Sequence, residues 1–390
     1  MKRLLIIGAS VLQVPAILKA KEMGLTVAVA DFNPQAVGIP LADEYFNVST
    51  IDEEGVFEAA KAFRADGIMT LATDMPMRAL AHACQKLGLT GISYDTALRS
   101  TDKAAMIQAF AAADVAHPWF QIARGGKLEA PPPAYPLITK PTDNSGSRGV
   151  MLVHGPEELE QALIYSSENG RGGDVMVEEY MQGPEVSVEI MADEGRIHVL
   201  QITDKLTTGA PHFVEMGHSQ PSRLPANTQA AIRDLATQAV QAVGIDNGPA
   251  HVEIIVTKDG PKMVELGARM GGDCITSHLV PLSTGIDMVG STIRCALGLP
   301  MELQPTLQKG SAIRFIPTDQ GTIRDIRGAE EARQISGVKE ITFTKQIGDK
   351  AGEIGSSTDR VGYVIAQGKN AEEAVAICEK AMHLITITVE

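Results

Sequence analysis

Apolar runs alternate with amphipathic segments along the first 95 residues of the chain. Residues 4–8, 26–31, 45–49 and 67–74 have the composition of strands, and residues 14–23, 53–63 and 75–87 have the apolar spacing of helices. Strands that alternate with helices are typical of a parallel sheet built from βαβ units. The pattern therefore predicts a Rossmann-like α/β domain over residues 1–95.

The turn after the first predicted strand resembles part of a dinucleotide site. Gly8-Ala9-Ser10 leads into a helix, and Asp31 closes the second strand. The fingerprint is incomplete, because Gln13 stands where a later glycine is needed. We expect a Rossmann-like fold without a dinucleotide, whose strand ends, including Ser10 and Asp74, face another ligand. An NAD-dependent oxidoreductase is the alternative that this loop suggests, and it leaves the features described next unexplained.

Two lysines flank a loop of small residues in the next part of the chain. Asp102 has the position of an N-cap, and the helix it predicts begins at Lys103 and runs to residue 113. Lys140 ends an apolar strand, and residues 142–149 form a Ser- and Gly-rich loop to a second strand. Backbone N–H groups of such a loop can surround phosphate oxygens, and Lys140 would add positive charge. Taken alone, the loop is also compatible with an exposed hairpin turn, and Lys103 with a solvated surface lysine.

Residues 174–205 have the alternation of three strands, interrupted at Gln182-Gly183-Pro184. The interruption predicts a hinge. Backbone groups of residues 178–181 can contact an adenine edge, and Glu185 can accept hydrogen bonds from ribose hydroxyls. Further helices are predicted over residues 227–243, 285–297 and 371–385, and we identify no catalytic motif in the last ninety residues.

A predicted hairpin around residues 258–260 places two glutamates side by side. If Thr257 pairs with Pro261 across a three-residue loop, Glu253 lies directly opposite Glu265. Carboxylates about 5 Å apart repel by roughly 3 kcal/mol at an effective dielectric of 20. A structural hairpin has no reason to carry this cost.

A bound cation would remove the repulsion between these two glutamates. Oxygen ligands without Cys or His select a hard ion, Mg²⁺ or Mn²⁺. The alternative is that one glutamate is solvated or paired with Arg269.

Composition excludes several classes of protein. The 390 residues are 44% hydrophobic and carry a net charge of −14 without a cluster of Lys and Arg, so nucleic acid is not an expected partner. We expect no membrane partner, because no apolar stretch approaches the roughly 20 residues that cross a bilayer. The first residues continue into a strand-and-helix pattern, which favours a cytoplasmic protein over a signal peptide. The four cysteines lack the spacing of a zinc site or a disulfide framework.

The order of these features resembles the ATP-grasp superfamily across nearly the whole chain. The resemblance implies a Rossmann-like preATP-grasp domain (1–95), two ATP-grasp subdomains (96–183 and 184–300) and a small C-terminal α+β subdomain (301–390). It implies ATP and Mg²⁺ or Mn²⁺ as cofactors. It assigns Lys103 and Lys140 to the phosphates, Ser145, Gly146, Ser147 and Gly149 to a lid, Glu178, Tyr180 and Met181 to adenine, Glu185 to ribose, Lys205 to the nucleotide, and Glu253 and Glu265 to the metal.

The same resemblance assigns Arg269 to the transferring phosphoryl group or acyl phosphate. One position departs from the superfamily, because Gly267 stands where an Asn metal ligand is common. Within the superfamily, residues 202–222 and 265–273 look most like the L-amino-acid ligases, which form dipeptides. In those enzymes an E-x-x-H element lines the acceptor side of the site, and Glu215 and His218 match it. A lone histidine on an exposed strand is the alternative for this element.

The implied activity is ATP-dependent activation of a carboxylate as an acyl phosphate, followed by attack of an amine. Lys140, Arg269, Glu215 and His218 are the implied catalytic residues, and the partners are a small carboxylate and a small amine. The alternatives are a purine-biosynthesis ATP-grasp enzyme that uses formate or bicarbonate with a ribonucleotide amine, and a nucleotide-binding regulatory protein without turnover. A homodimer is expected from family resemblance and from the frequency of two-fold symmetry.

Overall fold

The computed structural model describes residues 1–144, 146, 148–210 and 213–390. Within these ranges the strands form four sheets, of which the N-terminal one is parallel and the largest is antiparallel. Helices cover the sheets, so the predicted mixed α/β and α+β architecture is confirmed.

The N-terminal parallel sheet is the predicted Rossmann-like unit. Its strands are β1 (Arg3–Ile7), β2 (Thr26–Ala30), β3 (Glu44–Phe46) and β4 (Gly67–Met69), in the order β3-β2-β1-β4, and its helices are α1 (Val14–Glu22), α2 (Glu53–Phe63), α3 (Met77–Leu87) and α4 (Tyr94–Thr101). Leu4 and Ile6 share a core with Ile17 of α1, whereas Leu5 and Ile7 share one with α2 and α3. The strands are continuously apolar because helices cover both faces.

The second sheet holds the predicted loop between two strands. Its elements are α5 (Lys103–Ala112), β5 (Phe120–Ala123), β6 (Leu137–Pro141), β7 (Met151–Val153), α6 (Pro156–Glu168) and β8 (Val175–Glu179), with strand order β5-β8-β6-β7. Asp102 caps α5, because its side chain accepts from the Ala105 N–H at 2.9 Å. The cap fixes the start of α5, and Lys103 is the first residue of this helix.

The central sheet crosses most of the remaining chain. Its strands are β9 (Glu185–Asp193), β10 (Arg196–Thr207), β11 (Glu215–Gln220), β12 (Gly248–Thr257), β13 (Gly260–Gly267), β14 (Gly310–Phe315), β16 (Val338–Phe343) and β18 (Gly362–Gly368), in the order β13-β12-β9-β10-β11-β14-β18-β16. A smaller sheet, β17-β15-β19, contains β15 (Gly321–Arg327), β17 (Lys350–Ala351) and β19 (Thr386–Val389). The helices are α7 (Ala226–Val243), α8 (Val280–Thr284), α9 (Met288–Ala296), α10 (Ala329–Arg333) and α11 (Ala371–Leu384), and a π-helical turn covers Ile275–Leu279. Because β14 pairs with β11, the sheet continues across residue 300, and the four-part division of the chain stays a prediction.

The two faces of the central sheet differ in polarity. Val186 and Val188 of β9 pack in one core with Ile232 and Leu235 of α7. Glu185, Ser187 and Glu189 alternate with these valines, so they lie on the opposite face. The apolar face is therefore closed by a helix, and the polar face is available for a site.

The hairpin β12–β13 confirms one part of the predicted register and corrects another. Glu253 pairs directly with Glu265, as predicted, but Thr257 pairs with Gly260 and not with Pro261. The loop therefore has two residues, and Val264 is an extra residue that shifts the register between Ile254 and Glu253. The bulge compensates for the shorter loop, and Glu253 and Glu265 remain paired across the hairpin.

The predicted hinge at residues 182–184 joins the second sheet to the central one. Gly183 has φ +151°, and a Cβ there would lie 1.9 Å from the Val256 carbonyl oxygen. Only glycine allows this close approach of two backbones. The hinge thereby holds the end of β8 against the β12–β13 hairpin.

Two further observations concern the cysteines and the helices. Cys84, Cys274, Cys295 and Cys378 are free thiols. Across the ranges that the structure describes, no helix is both long and apolar enough to span a bilayer.

Candidate functional site

Two adjoining cavities open onto the polar face of the central sheet. The first, about 320 Å³, is lined by residues that include Asp74, Arg78, His251 and Arg269. The second, about 160 Å³, is lined by residues that include Lys140, Gly146, Tyr180, Met181, Phe213 and Glu215. Lys103, Asn144, Glu253 and Glu265 line both. The opposed glutamates therefore stand where the two cavities meet.

Lysines neutralise the carboxylates at this junction. Lys205 Nζ lies 2.8 Å from Glu253 Oε2 and 2.5 Å from Glu185 Oε1, and it approaches Glu215 Oε1 at 3.5 Å. Lys103 Nζ lies 3.0 Å from Glu265 Oε2 and donates to the Asn144 carbonyl oxygen at 2.7 Å. Each of the two glutamates is thus paired with a lysine. The sequence had suggested Arg269 as the alternative partner.

Burial and these neighbours set the protonation states of the junction. Burial alone would lower the pKa of Lys205, but the carboxylates of Glu253, Glu185 and Glu215 raise it well above its usual value. Burial alone would raise the pKa of Glu253, but Lys205 and His251 hold it well below its usual range. Both groups are therefore charged at neutral pH, and Glu253 presents an anionic oxygen.

His251 is a site residue that the sequence interpretation missed. Its Nδ1 lies 2.9 Å from Glu189 Oε1, and its Nε2 lies 3.6 Å from Glu253 Oε1. Burial would lower its pKa, but Glu189 raises it to about 9. The signal was available, because His251 precedes Glu253 by two residues and a strand places such residues on one face.

Arg269 is held by a residue of the N-terminal domain. Its Nε and Nη2 donate to the two carboxylate oxygens of Asp74 at 2.9 and 3.0 Å. A Cβ at Gly267 would lie only 2.4 Å from Asp74 Oδ1. The space that a side chain at position 267 would need is therefore filled by the Asp74 carboxylate, and Gly267 permits this bidentate ion pair.

The second cavity contains the residues assigned to the nucleotide. Lys140 Nζ lies 2.6 Å from Glu178 Oε1, and both side chains are buried. Burial raises the pKa of Glu178, and its Oε2 is buried without a hydrogen-bond partner in the described structure. The rings of Tyr180 and Phe213 are 6.3 Å apart at one side of the cavity. An unpartnered acceptor beside an aromatic and aliphatic slot suits a flat ligand with an amino group.

The backbone before the hinge departs from the expectation of free adenine-contacting groups. The Glu179 N–H donates to the Trp119 carbonyl oxygen at 2.9 Å, and the Tyr180 N–H donates to the Pro136 carbonyl oxygen at 3.2 Å. These two donors are engaged inside the protein, so they are not free to contact an adenine.

Part of the predicted lid lies outside the described residues. Ser145 and Ser147 belong to that part. Gly146 and Gly149 have φ of +68° and +78°, conformations that favour glycine, and Gly146 lines the second cavity. The loop is tied to the site through Asn144, whose carbonyl oxygen accepts from Lys103.

Glu215 and His218 share a face of β11 only because the strand is irregular. Thr207 pairs with Glu215 and Lys205 pairs with His218, which leaves Met216 as an extra residue. Glu215 reaches the second cavity, whereas His218 is buried outside both cavities and lies 3.2 Å from Asp273 Oδ2. Of the two members of the E-x-x-H element, Glu215 therefore lines a cavity and His218 does not.

A C-terminal arginine completes the surroundings of His218. Arg360 donates to both carboxylate oxygens of Asp273 at 2.7 Å and to the Glu215 carbonyl oxygen at 3.1 Å. Burial would raise the pKa of Asp273, but His218 and Arg360 hold it well below its usual range. The sequence carried no signal for this contact, because Arg360 and Asp273 are 87 residues apart.

The glycine loop of the N-terminal domain is filled by the protein itself. Gln13 Oε1 accepts from Ser10 Oγ at 2.7 Å, and Gln13 Nε2 donates to the Leu71 carbonyl oxygen at 2.7 Å. Asp31 Oδ2 accepts from the Ala9 N–H at 2.8 Å. Side chains thus use the positions where a dinucleotide would bind in the oxidoreductase alternative.

Comparison with known families identifies two domains in the chain. Residues 133–277 match the ATP-grasp domain, and residues 314–390 match the L-amino acid ligase C-terminal domain 2. The chain contains an ATP-grasp domain. The family and fold predicted from the sequence are therefore confirmed.

Three ATP-grasp relatives illustrate the similarity. The L-arginine-specific L-amino acid ligase of Bacillus subtilis is 26% identical over 319 residues, which cover 76% of this chain and 75% of that protein. The formate-dependent phosphoribosylglycinamide formyltransferase of Sulfurisphaera tokodaii is 26% identical over 406 residues, which cover 99% and 97%. The crystal structure of the L-amino acid ligase from Bacillus licheniformis superposes with a TM-score of 0.87 at 26% identity, covering 100% of this chain and 99% of that one. Solved structures of this fold include complexes with ADP and with its magnesium salt.

Proposed function

We propose that this ATP-grasp protein is an ADP-forming ligase that activates the carboxylate of an amino acid as an acyl phosphate and joins it to an amine. The observation that carries the proposal is the junction at Glu253 and Glu265. It connects a small slot with aromatic and aliphatic walls to a larger polar cavity that contains Arg269. A phosphoryl donor in the slot and a carboxylate in the polar cavity would meet at the glutamate pair.

ATP would occupy the second cavity. Tyr180 and Met181 would contact the adenine, with the unpartnered Glu178 Oε2 accepting from its amino group. Glu185 would accept from the ribose hydroxyls. The phosphates would lie toward Lys103, Lys140 and the loop that contains Gly146 and Gly149, where cationic and backbone N–H groups neutralise their charge.

The residues at the junction fit a magnesium ion. Glu253 and Glu265 offer carboxylate oxygens and each turns one oxygen to a lysine, so the pair is preorganised and oriented. Two carboxylates are a number that Mg²⁺ commonly takes from a protein, with phosphate oxygens and water as its other ligands. Bound Mg²⁺ would neutralise phosphate oxygens during transfer.

The protein's own groups would direct the chemistry in the polar cavity. Arg269, oriented by Asp74, would hold the substrate carboxylate and stabilise the charge of the acyl phosphate. Glu215 lines the site and would orient the amine or accept its proton. His218 is buried against Asp273, so it would not contact the substrate. It would instead stabilise the strand that positions Glu215. The loop over the phosphates would exclude water, which hydrolyses acyl phosphates.

The test is release of ADP and phosphate with Mg²⁺ and ATP over amino acids offered singly and in pairs, with mass spectrometry of the products. Trapping with hydroxylamine reports the acyl phosphate separately, as a hydroxamate of the activated amino acid. Stimulation by a pair together with a dipeptide mass supports the proposal. Absence of hydroxamate and dipeptide across the whole panel overturns it.

A second candidate is a formate- or bicarbonate-using enzyme of purine biosynthesis. Its support is the similarity to a formate-dependent formyltransferase over 99% of this chain. Such an enzyme would release ADP with formate or bicarbonate plus a ribonucleotide amine. That result, with silence on amino acids, would assign the chain to this branch.

A further inference from the structure

The first cavity contains an arginine that the proposed chemistry does not use. Arg78 lies in the first turn of α3, and its Nε donates to Thr101 Oγ1 at 2.8 Å. Thr101 Oγ1 in turn donates to the Ala97 carbonyl oxygen at 2.8 Å. The guanidinium is thus fixed against the end of α4 through one nitrogen, and its planar fork of two Nη groups remains for another contact.

Three other cations of this cavity have a carboxylate partner, which Arg78 lacks among the described residues. Lys103 is paired with Glu265, Arg269 with Asp74, and His251 with Glu189. In the part of the chain that the structure describes, no carboxylate lies within 4.0 Å of the Arg78 guanidinium. A half-buried arginine with a free fork is suited to bind a planar anion in a bidentate manner.

We propose that Arg78 is a specificity-determining residue that binds the carboxylate of the acceptor amino acid, so that acceptors with a free carboxylate are selected over acceptors without one. The inference rests on the proposed ligase function. The donor carboxylate is consumed at Arg269 and the glutamate pair, whereas the acceptor carboxylate persists in the product and needs its own counter-ion. A cavity of about 320 Å³ holds a small ligand of this kind.

Charges on the N-terminal wall support a zwitterionic or anionic acceptor over a neutral amine. Glu53 also lines the cavity, and Tyr94 donates to it at 2.7 Å. Asp74 is neutralised by Arg269. An acceptor carboxylate would therefore pair with Arg78, whereas an amine without a carboxylate would leave this half-buried guanidinium without a counter-ion.

The test compares amino acids with their C-terminal amides as acceptors. An amide has no carboxylate to activate, so it can serve only as acceptor, and the mass of its product identifies the direction of joining. The standard L-amino acids and their amides are offered at saturating ATP, Mg²⁺ and donor to the wild type, Arg78→Gln, Arg78→Lys and the exposed control Arg99→Gln. The measured quantity is kcat/KM for the acceptor.

We expect the wild type and Arg99→Gln to prefer the acid over its amide by about 10- to 100-fold, as expected for a charge-assisted hydrogen-bonded pair. Arg78→Gln should lose this preference with its amide turnover unchanged, and Arg78→Lys should retain part of it. Equal use of acid and amide by the wild type overturns the proposal. Arg171 is a more exposed arginine of the same cavity. If Arg171→Gln loses the preference and Arg78→Gln keeps it, the proposal is also overturned.

Two measurements separate this inference from the ligase function. Hydroxamate formation from the donor alone should be unaffected by Arg78→Gln, because the donor carboxylate does not contact Arg78. Calorimetric binding of the acceptor amino acid in the presence of Mg²⁺ and a non-hydrolysable ATP analogue should weaken about 10-fold or more in Arg78→Gln. Normal hydroxamate with unchanged acceptor binding overturns the role of Arg78 and leaves the ligase function standing. Absence of both hydroxamate and dipeptide in the wild type overturns the ligase function and this inference together. Preferential binding of a ribonucleotide amine through Arg78 overturns the inference by reassigning the anion as a phosphate.

Discussion

A side chain at position 267 is expected to displace Asp74 and thereby disturb Arg269. The Cβ of Gly267→Ala would lie 2.4 Å from Asp74 Oδ1 and 3.0 Å from Arg269 Nε, whereas ordinary contact begins near 3.4 Å. The carboxylate would have to move by about 1 Å. Because its bonds to Arg269 are 2.9 and 3.0 Å long, such a movement takes at least one of them beyond hydrogen-bond range.

The magnitude follows from this displacement. Overpacking of a close-packed site costs about 1–3 kcal/mol of stability. A shift of about 1 Å in a group that positions substrate lowers the rate by roughly 100-fold. We therefore expect a small loss of stability in Gly267→Ala and a much larger loss of ADP release.

Gly272→Ala is the matched control, because its Cβ would meet only Ala72 Cβ at 3.8 Å. Thermal unfolding and ADP release are measured for both variants and for the double variant Gly267→Ala/Asp74→Ala. Removing the Asp74 carboxylate relieves the clash, so the cost of Gly267→Ala should be smaller in the Asp74→Ala background. The reasoning fails if Gly267→Ala behaves like Gly272→Ala, or if its cost is the same with and without Asp74.

Glu265→Gln is expected to abolish ADP release with an unchanged circular dichroism spectrum, because an amide lacks the anionic oxygen that Mg²⁺ prefers; near-normal ADP release would refute the metal assignment. Lys205→Met removes the buried cation that is shared by partly buried carboxylates, so the free energy of unfolding should fall by up to about 3 kcal/mol in denaturant titrations. The exposed control Lys369→Met should show no such loss, and equal stability of the two variants would contradict the pairing. The pKa of His251 is about 9 in the folded protein and 6.5 ordinarily. The protonated His251 therefore contributes fully to the free energy of unfolding below pH 6.5, and this contribution is lost as the pH rises to about 9. That loss amounts to roughly 3 kcal/mol and should be absent in His251→Gln, as measured by unfolding at pH 6.5 and 9 without nucleotide or metal; parallel pH profiles for the two proteins would argue against it.

Local structure was largely predictable because its causes are local. The helix predicted over residues 53–63 is α2, whose N-cap Asp52 accepts from the Gly55 N–H. The helix predicted after Asp102 also begins as expected. Caps and apolar periodicity act over a few residues, so the sequence contains them directly.

The hairpin shows where such reasoning stops. Glu253 and Glu265 do face each other, but the loop has two residues and a bulge at Val264 restores the pairing. A bulge depends on what packs against both sides of the strand, and the turn composition alone does not reveal it. The irregularity at Met216, which brings Glu215 and His218 to one face, escaped prediction for the same reason.

By itself the sequence determined the order of elements, the superfamily and the pair of opposed glutamates. Only the tertiary structure decided which charges neutralise which, because those contacts join distant segments. Asp74 and Arg269 are 195 residues apart, and Lys205 and Glu253 are 48 apart. The N-terminal domain supplies Asp74 to Arg269, whereas the order of the central sheet places Lys205 of β10 and Glu253 of β12 on either side of β9. A buried charge persists only where packing supplies a partner.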